Sequence, residues 1–171
     1  RLLPCMGMLL PDILHRLVPE LDQERMKPIL EEVLSEENAY VAAHGGVLYP
    51  EVEQTLAALS ARCPLFLVSN CQDGYIEAFF QAHGLGRYFT DYENPGRTGL
   101  PKADNIALVA ERNGLRRPLY IGDTQGDYDA ASKAGVPFLH AAYGFGRIDR
   151  PVPSVATFGD LPDAIRRLTP P

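Results

Sequence analysis

Two carboxylates four residues apart, Asp123 and Asp127, stand in the stretch YIGDTQGDYDAASKAGV, directly after a short apolar run. A strand over that run delivers Gly122 and Asp123 at its carboxyl end, and Asp127 falls on the opening turn of the helix that follows. Carboxylates converging there form an oxygen-rich site of the kind magnesium prefers, with retained waters and a substrate phosphate completing its shell. The same residues suit a plainer task, capping the helix and complementing its N-terminal dipole. By themselves they leave both readings open.

Ser69-Asn70 follows the apolar run LFLV, residues 65–68. A hydroxyl and an amide at a strand end, beside the free amides of a following helix, can hydrogen-bond a phosphate oxygen. A Ser or Asn helix cap is the plainer account here too. Lys102 follows Pro101 after the turn-rich NPGRTGLP and opens another helix. A lysine in that place is ordinarily solvated, because lysine is rarely buried without a partner. His15, His44, His83 and His140 are scattered without metal-ligand spacing. There is no Walker lysine loop, and GLGRYF and GFGRID both lack the last glycine of a dinucleotide-binding fingerprint.

The elements that must position these residues alternate. Residues from Pro11 to about Ala43 are helical in pattern, with Met26, Leu30, Val33 and Leu34 on one face and Asp22 as N-cap of a second helix. His44-Gly45-Gly46 breaks the pattern and predicts a lobe boundary. PEVEQTLAALSAR then places Val52, Leu56 and Leu59 on one helical face, with Pro50 in a favourable first-turn position. LFLV reads as a buried strand, and Ile76, Phe79, Phe80 and His83 form a helical stripe stopped by Gly84. YFTDY is a candidate strand, the helix from Lys102 ends at Gly114, PLYIG is the next strand, and VPFLH is the last clear one. Strands separated by such helices require a parallel α/β sheet covered on both faces, with any ligand at the carboxyl ends of the strands.

Composition bounds the function classes. With 171 residues, 46% hydrophobic and 22% charged, the chain can bury one sizeable core and carry a small second lobe. Acidic residues exceed basic ones by 22 to 16, and Arg116-Arg117 and Arg166-Arg167 are short pairs, which disfavours a nucleic-acid or anionic-membrane surface. No apolar run approaches a membrane span and no secretory signal opens the sequence. Cys5, Cys63 and Cys71 form neither a disulfide framework nor a zinc pattern, which points to a reducing cytoplasm.

LFLVSN, then PK, then GDTQGD, in that order on one alternating framework, resemble the second, third and fourth signature motifs of the haloacid dehalogenase superfamily. YPEVEQTLAAL is similar to the helix before the second motif, and AASKAGVPFLHAAYGFG to the helix, strand and Gly-rich loop after the fourth. Residues 1–45 resemble the later part of a helical cap, and residues 46–171 a Rossmann-like core; phosphoglycolate-phosphatase-like members look nearest. The resemblance implies that Ser69 binds the transferred phosphoryl group with Asn70 lining the same site. It further implies that Lys102 balances charge, and that Asp123 ligates Mg2+ with help from Asp127. Phosphoryl transfer depends on positioning and charge neutralisation, which suits such groups.

The family's reaction begins at an Asp-x-Asp-Gly-Thr stretch whose first Asp attacks phosphorus, and no such stretch occurs in the 171 residues. Asp12 in LPDILH lies in a helical, cap-like segment and does not replace it. The expectation is therefore a fragment of a magnesium-dependent phosphatase for a small phosphorylated metabolite, acting through an aspartyl-phosphate intermediate and inactive as it stands. In the family the nucleophile strand lies between those of the second and fourth motifs. Residues 65–68 and 119–121 should then flank a gap of roughly 9 to 10 Å, two strand spacings, filled by a swapped or separate N-terminal segment. A phosphomutase would keep the same residues, and a non-catalytic phosphate-binding or interaction domain is the reading from a different class. A dehalogenase is disfavoured because dehalogenating members need no magnesium.

Overall fold

The computed structural model describes residues 3–168. After a short 3-10 turn, Leu3–Cys5, come helices α1 (Leu10–Leu17), α2 (Gln23–His44) and α3 (Val52–Ser60). The alternating part runs β1 (Leu65–Val68), α4 (Tyr75–His83), β2 (Phe89–Glu93), α5 (Pro95–Thr98), α6 (Lys102–Arg112), β3 (Tyr120–Gly122), α7 (Gln125–Lys133) and β4 (Phe138–Ala141). It closes with β5 (Ser154–Val155), which the sequence pattern does not announce, and α8 (Leu161–Leu168), whose last turn carries Arg166 and Arg167.

Local chemistry accounts for most boundaries. Asp22 caps α2, its carboxylate accepting the Arg25 amide at 2.8 Å, and Gly45 ends the helix at φ 63°. Val52, Leu56 and Leu59, spaced i, i+4, i+7, are the buried stripe of α3. Pro50 stands ahead of that helix, with Glu51 between them at φ 65°, and not in its first turn. Gly84 terminates α4 in the left-handed region. The turn-rich NPGRTGLP contains the single-turn helix α5 because the Asn94 side chain accepts the Arg97 amide at 2.9 Å.

All strand pairing is parallel, but the sheet is in two pieces: β1 pairs with β2, and β3 with β4 and β4 with β5. Among the described residues no backbone hydrogen bond joins residues 65–68 to 118–121. The two edges are linked instead by Tyr120, whose Oη donates to the Val68 carbonyl at 3.0 Å. Between them lies a cleft of about 540 Å³ lined by all four residues of β1, by Leu119, Tyr120 and Ile121, and by Ile106 and Val109 of α6. The gap expected beside LFLV is therefore present. It also explains why β1 is half-buried along its whole length and not the buried strand its apolar run predicts.

Around the pieces, Leu59, Leu139, Val155, Leu161 and Ala164 make one buried cluster, and Val52, Leu56 and Leu85 another. Helix α2 packs on α4 and is fixed to the loop after β1, with Asn38 Nδ2 donating to the Asp73 carbonyl at 2.9 Å. No helix among the described residues is long and apolar enough to cross a membrane.

Candidate active site

The carboxyl ends of β1 and β3 and the first turn of α6 open on one cavity of about 480 Å³, lined among others by Ser69, Asn70, Lys102, Asp123 and Asp127. The structure thus brings together all five residues singled out in the sequence. They come from three βα junctions far apart in the chain, which parallel strands place side by side.

Lys102 is set by the loop before it. Asn105, fully buried, donates to the Leu100 carbonyl at 2.9 Å and accepts from Thr98 Oγ1 at 2.8 Å, so the Gly99–Pro101 turn enters α6 in one way. The ammonium then reaches Asp127 Oδ1 at 2.5 Å, with side-chain exposures of 11% and 7%. Burial of this kind is tolerated because the charges are paired.

Asp127 belongs to a capping box on α7. Its Oδ2 accepts Thr124 Oγ1 at 2.8 Å and the amides of Thr124 and Asp123 at 3.0 and 3.2 Å, while the Asp127 amide returns to Thr124 Oγ1 at 3.2 Å. Burial acts to raise its pKa, yet the Lys102 charge and the Thr124 donors outweigh it and hold the carboxyl below its ordinary value. Tyr120, buried beside this carboxylate, has its phenol pushed upward, by desolvation first and by the Asp127 charge second.

Asp123 is held differently. Its Oδ2 accepts the Phe145 amide at 2.7 Å, and no partner among the described residues engages Oδ1. The approach depends on glycine: a Cβ on Gly144 would stand 2.3 Å from Asp123 Cβ, and one on Gly122 would stand 2.5 Å from Asp127 Cβ.

The expected pair of metal carboxylates therefore resolves into two roles. Both oxygens of Asp127 are engaged, Oδ1 by the Lys102 ammonium and Oδ2 by the Thr124 hydroxyl and two amides, so in this arrangement it serves as helix cap and ion-pair partner. Asp123 lines the cavity and keeps one carboxylate oxygen without a partner among the described residues, which suits a hard cation whose remaining ligands are water and phosphate oxygens. Among the described residues no group of three or more His, Cys, Asp or Glu is gathered as a metal cluster.

The Ser69 hydroxyl lies beside the Cys71 thiol, which burial pushes up to about 11 against the lowering effect of that hydrogen bond. Asn70 lines the cavity, but its Nδ2 donates to the Gly7 carbonyl at 2.9 Å. Residues 5–8, expected to be part of the cap, here form a wall of the site itself. Thr124, Tyr120 and the Gly144-Phe145 turn hold these side chains in place without any of them being a candidate from the sequence. The Thr-x-x-Asp spacing was a legible capping signal, whereas nothing local announces the other two.

A sequence profile described as haloacid dehalogenase-like hydrolase matches residues 1–141. The phosphoglycolate phosphatase of Escherichia coli (strain K12) is 32% identical over 135 residues, covering 74% of this chain and 52% of that protein. The chain thus spans about half the length of the curated relatives it matches. Among solved structures, a predicted phosphatase from Clostridium acetobutylicum superposes with a TM-score of 0.81 at 19% identity, over 94% of this chain and 78% of that one. The L-2-haloacid dehalogenase of Xanthobacter autotrophicus superposes at 0.61 and 22% identity, over 71% and 62%. At such identities the likeness establishes a shared fold.

Proposed function

The chain belongs to the haloacid dehalogenase-like hydrolase family, and from that premise we propose that it is the phosphate- and cation-binding platform of a magnesium-dependent phosphatase for a small phosphorylated metabolite. The observation that carries this reading is the convergence of Ser69, Lys102 and Asp123 on one cavity at the strand ends. The phosphatase relative supports the choice of phosphate monoesters over haloacids.

In this reading the Ser69 hydroxyl donates to a phosphate oxygen, while Asn70 lines the site with its side-chain amide held by the Gly7 carbonyl. The paired Lys102 supplies positive charge beside them without being displaced, since Asp127 fixes its ammonium in place. Asp123, oriented by the Phe145 amide, would hold Mg2+ through its free oxygen. The cation would neutralise charge developing on the transferred phosphoryl group. The attacking carboxylate of the aspartyl-phosphate step is not supplied by an Asp-x-Asp-Gly-Thr stretch within these 171 residues. We therefore assign binding and charge balance to this chain, and expect no turnover from it alone.

Calorimetry with inorganic phosphate and Mg2+ tests the reading. Phosphate should bind the parent chain, more tightly with Mg2+ present, and Ser69→Ala should weaken it about tenfold, the loss of one hydrogen bond to a charged group. Phosphate binding that is indifferent to Ser69→Ala and to Asp123→Asn would remove this site from consideration.

A further inference from the structure

Among the residues that line the cavity is a carboxylate that the proposed chemistry does not use, Glu37 of α2. Its Oε2 accepts Gln72 Nε2 at 2.8 Å, and Oε1 has no partner among the described residues. The group is firmly placed: Gln72 Nε2 also lies 3.3 Å from Asn38 Oδ1, and Asn38 Nδ2 is bonded to the Asp73 carbonyl. Its charge is felt by its neighbours, since Glu37 adds to the burial that raises the Tyr75 phenol.

The cavity is otherwise poor in positive charge. Among the described residues that line it, Lys102 is the one cation, and it is already paired with Asp127. Arg16 approaches Met8 Sδ at 4.0 Å but is exposed and does not line the cavity. A second negative group on a substrate would therefore meet Glu37 with no unpaired cationic side chain among the described lining residues to offset it, while a hydroxyl or ammonium would find an acceptor in Oε1.

Resting on the phosphatase reading above, we propose that Glu37 selects phosphate monoesters whose leaving group carries hydrogen-bond donors and no second negative charge. Amino-alcohol and polyol phosphates fit; phosphoglycolate, whose name the curated relatives carry, does not. Like-charge juxtaposition in a recognition site is a strong discriminator, and Glu37 lines the same cavity as Ser69, with its charge felt at the Cys71 thiol beside that hydroxyl.

Calorimetry of the chain with Mg2+ separates the possibilities, using inorganic phosphate, phosphoglycolate, glycerol 3-phosphate and O-phosphoethanolamine. Phosphoethanolamine and glycerol phosphate should bind at least about tenfold more tightly than phosphoglycolate. Glu37→Gln should bring the three within about twofold of one another, and Glu111→Gln, an equal charge change on the exposed end of α6, should leave the preference in place. Phosphoglycolate binding as tightly as phosphoethanolamine, or a preference unmoved by Glu37→Gln, overturns the assignment of Glu37 while leaving the phosphate site standing. Failure of inorganic phosphate to bind the parent chain overturns both.

Discussion

Asp127 shows how one carboxylate serves two elements, closing the first turn of α7 through Thr124 and holding Lys102 of α6 across the site. Because both partners are nearly inaccessible, Asp127→Asn leaves an ammonium without its counter-charge, and chemical denaturation at pH 7 should show a loss of about 3 kcal/mol. The pH dependence has a definite sign. A carboxyl whose folded pKa lies below its unfolded value of about 3.9 contributes stability present above that pH and lost as the pH falls through the depressed folded value. The stability difference between the parent and Asp127→Asn should thus narrow as the pH falls below about 3.9; a difference that persists undiminished through acid titration would mean that the ion pair is not its origin. Asp123 depends on the absence of a side chain elsewhere. Gly144→Ala places a methyl against its Cβ and should lower magnesium affinity about tenfold, as displaced ligand supports commonly do. Parent-like affinity in calorimetry would show that Asp123 is not the ligand.

The element of most consequence is the cleft between β1 and β3. Their facing edges carry backbone groups that no strand satisfies, whereas β4 is paired on both sides. Hydrogen exchange should therefore protect residues 138–141 far better than 65–68 and 120–122, by at least about tenfold in rate. Equal protection across the five strands would show that the cleft closes in solution. Tyr120 is the bridge over this gap, and its hydroxyl lies between the Val68 carbonyl and Asp127 Oδ1, at 3.0 and 3.5 Å. A strand seated in the cleft would replace that link with ladder hydrogen bonds, and its carboxyl end would emerge beside Ser69 and Asp123.

At the scale of the whole chain, the 171 residues contain no Asp-x-Asp-Gly-Thr stretch to serve this site. The 171-residue chain, incubated with Mg2+ and an aryl phosphate, should release no phosphate above the uncatalysed rate. Magnesium-dependent turnover that disappears in Asp123→Asn would refute this, since it would require an attacking group among the residues described. The phosphoglycolate phosphatase relatives extend over about twice the matched length, so the reaction of a longer protein is a separate measurement from the binding properties of this chain.

Much of the architecture was readable because it depends on neighbours in sequence. The stripe Val52-Leu56-Leu59, the Asp22 cap, the Gly84 stop and the short apolar runs before Ser69 and Asp123 follow from periodicity and capping, which are local. The ordered trio LFLVSN, PK and GDTQGD carried the family resemblance, and a strand-helix framework then required those residues to share one end of a parallel sheet. What the sequence left open was decided by contacts between distant residues. The capping role of Asp127 was legible from the Thr-x-x-Asp spacing, but its ion pair with Lys102, 25 residues away, was not. Asn70 could have faced a phosphate until the Gly7 carbonyl, 63 residues away, took its amide. Glu37 and β5 had no local signature at all, because a carboxylate on a long polar helix and a two-residue strand acquire meaning only from what lies across from them. Helix and strand patterns are set by the chain's own repeat, whereas the partner of a polar side chain is set by packing, and only the tertiary structure supplies it.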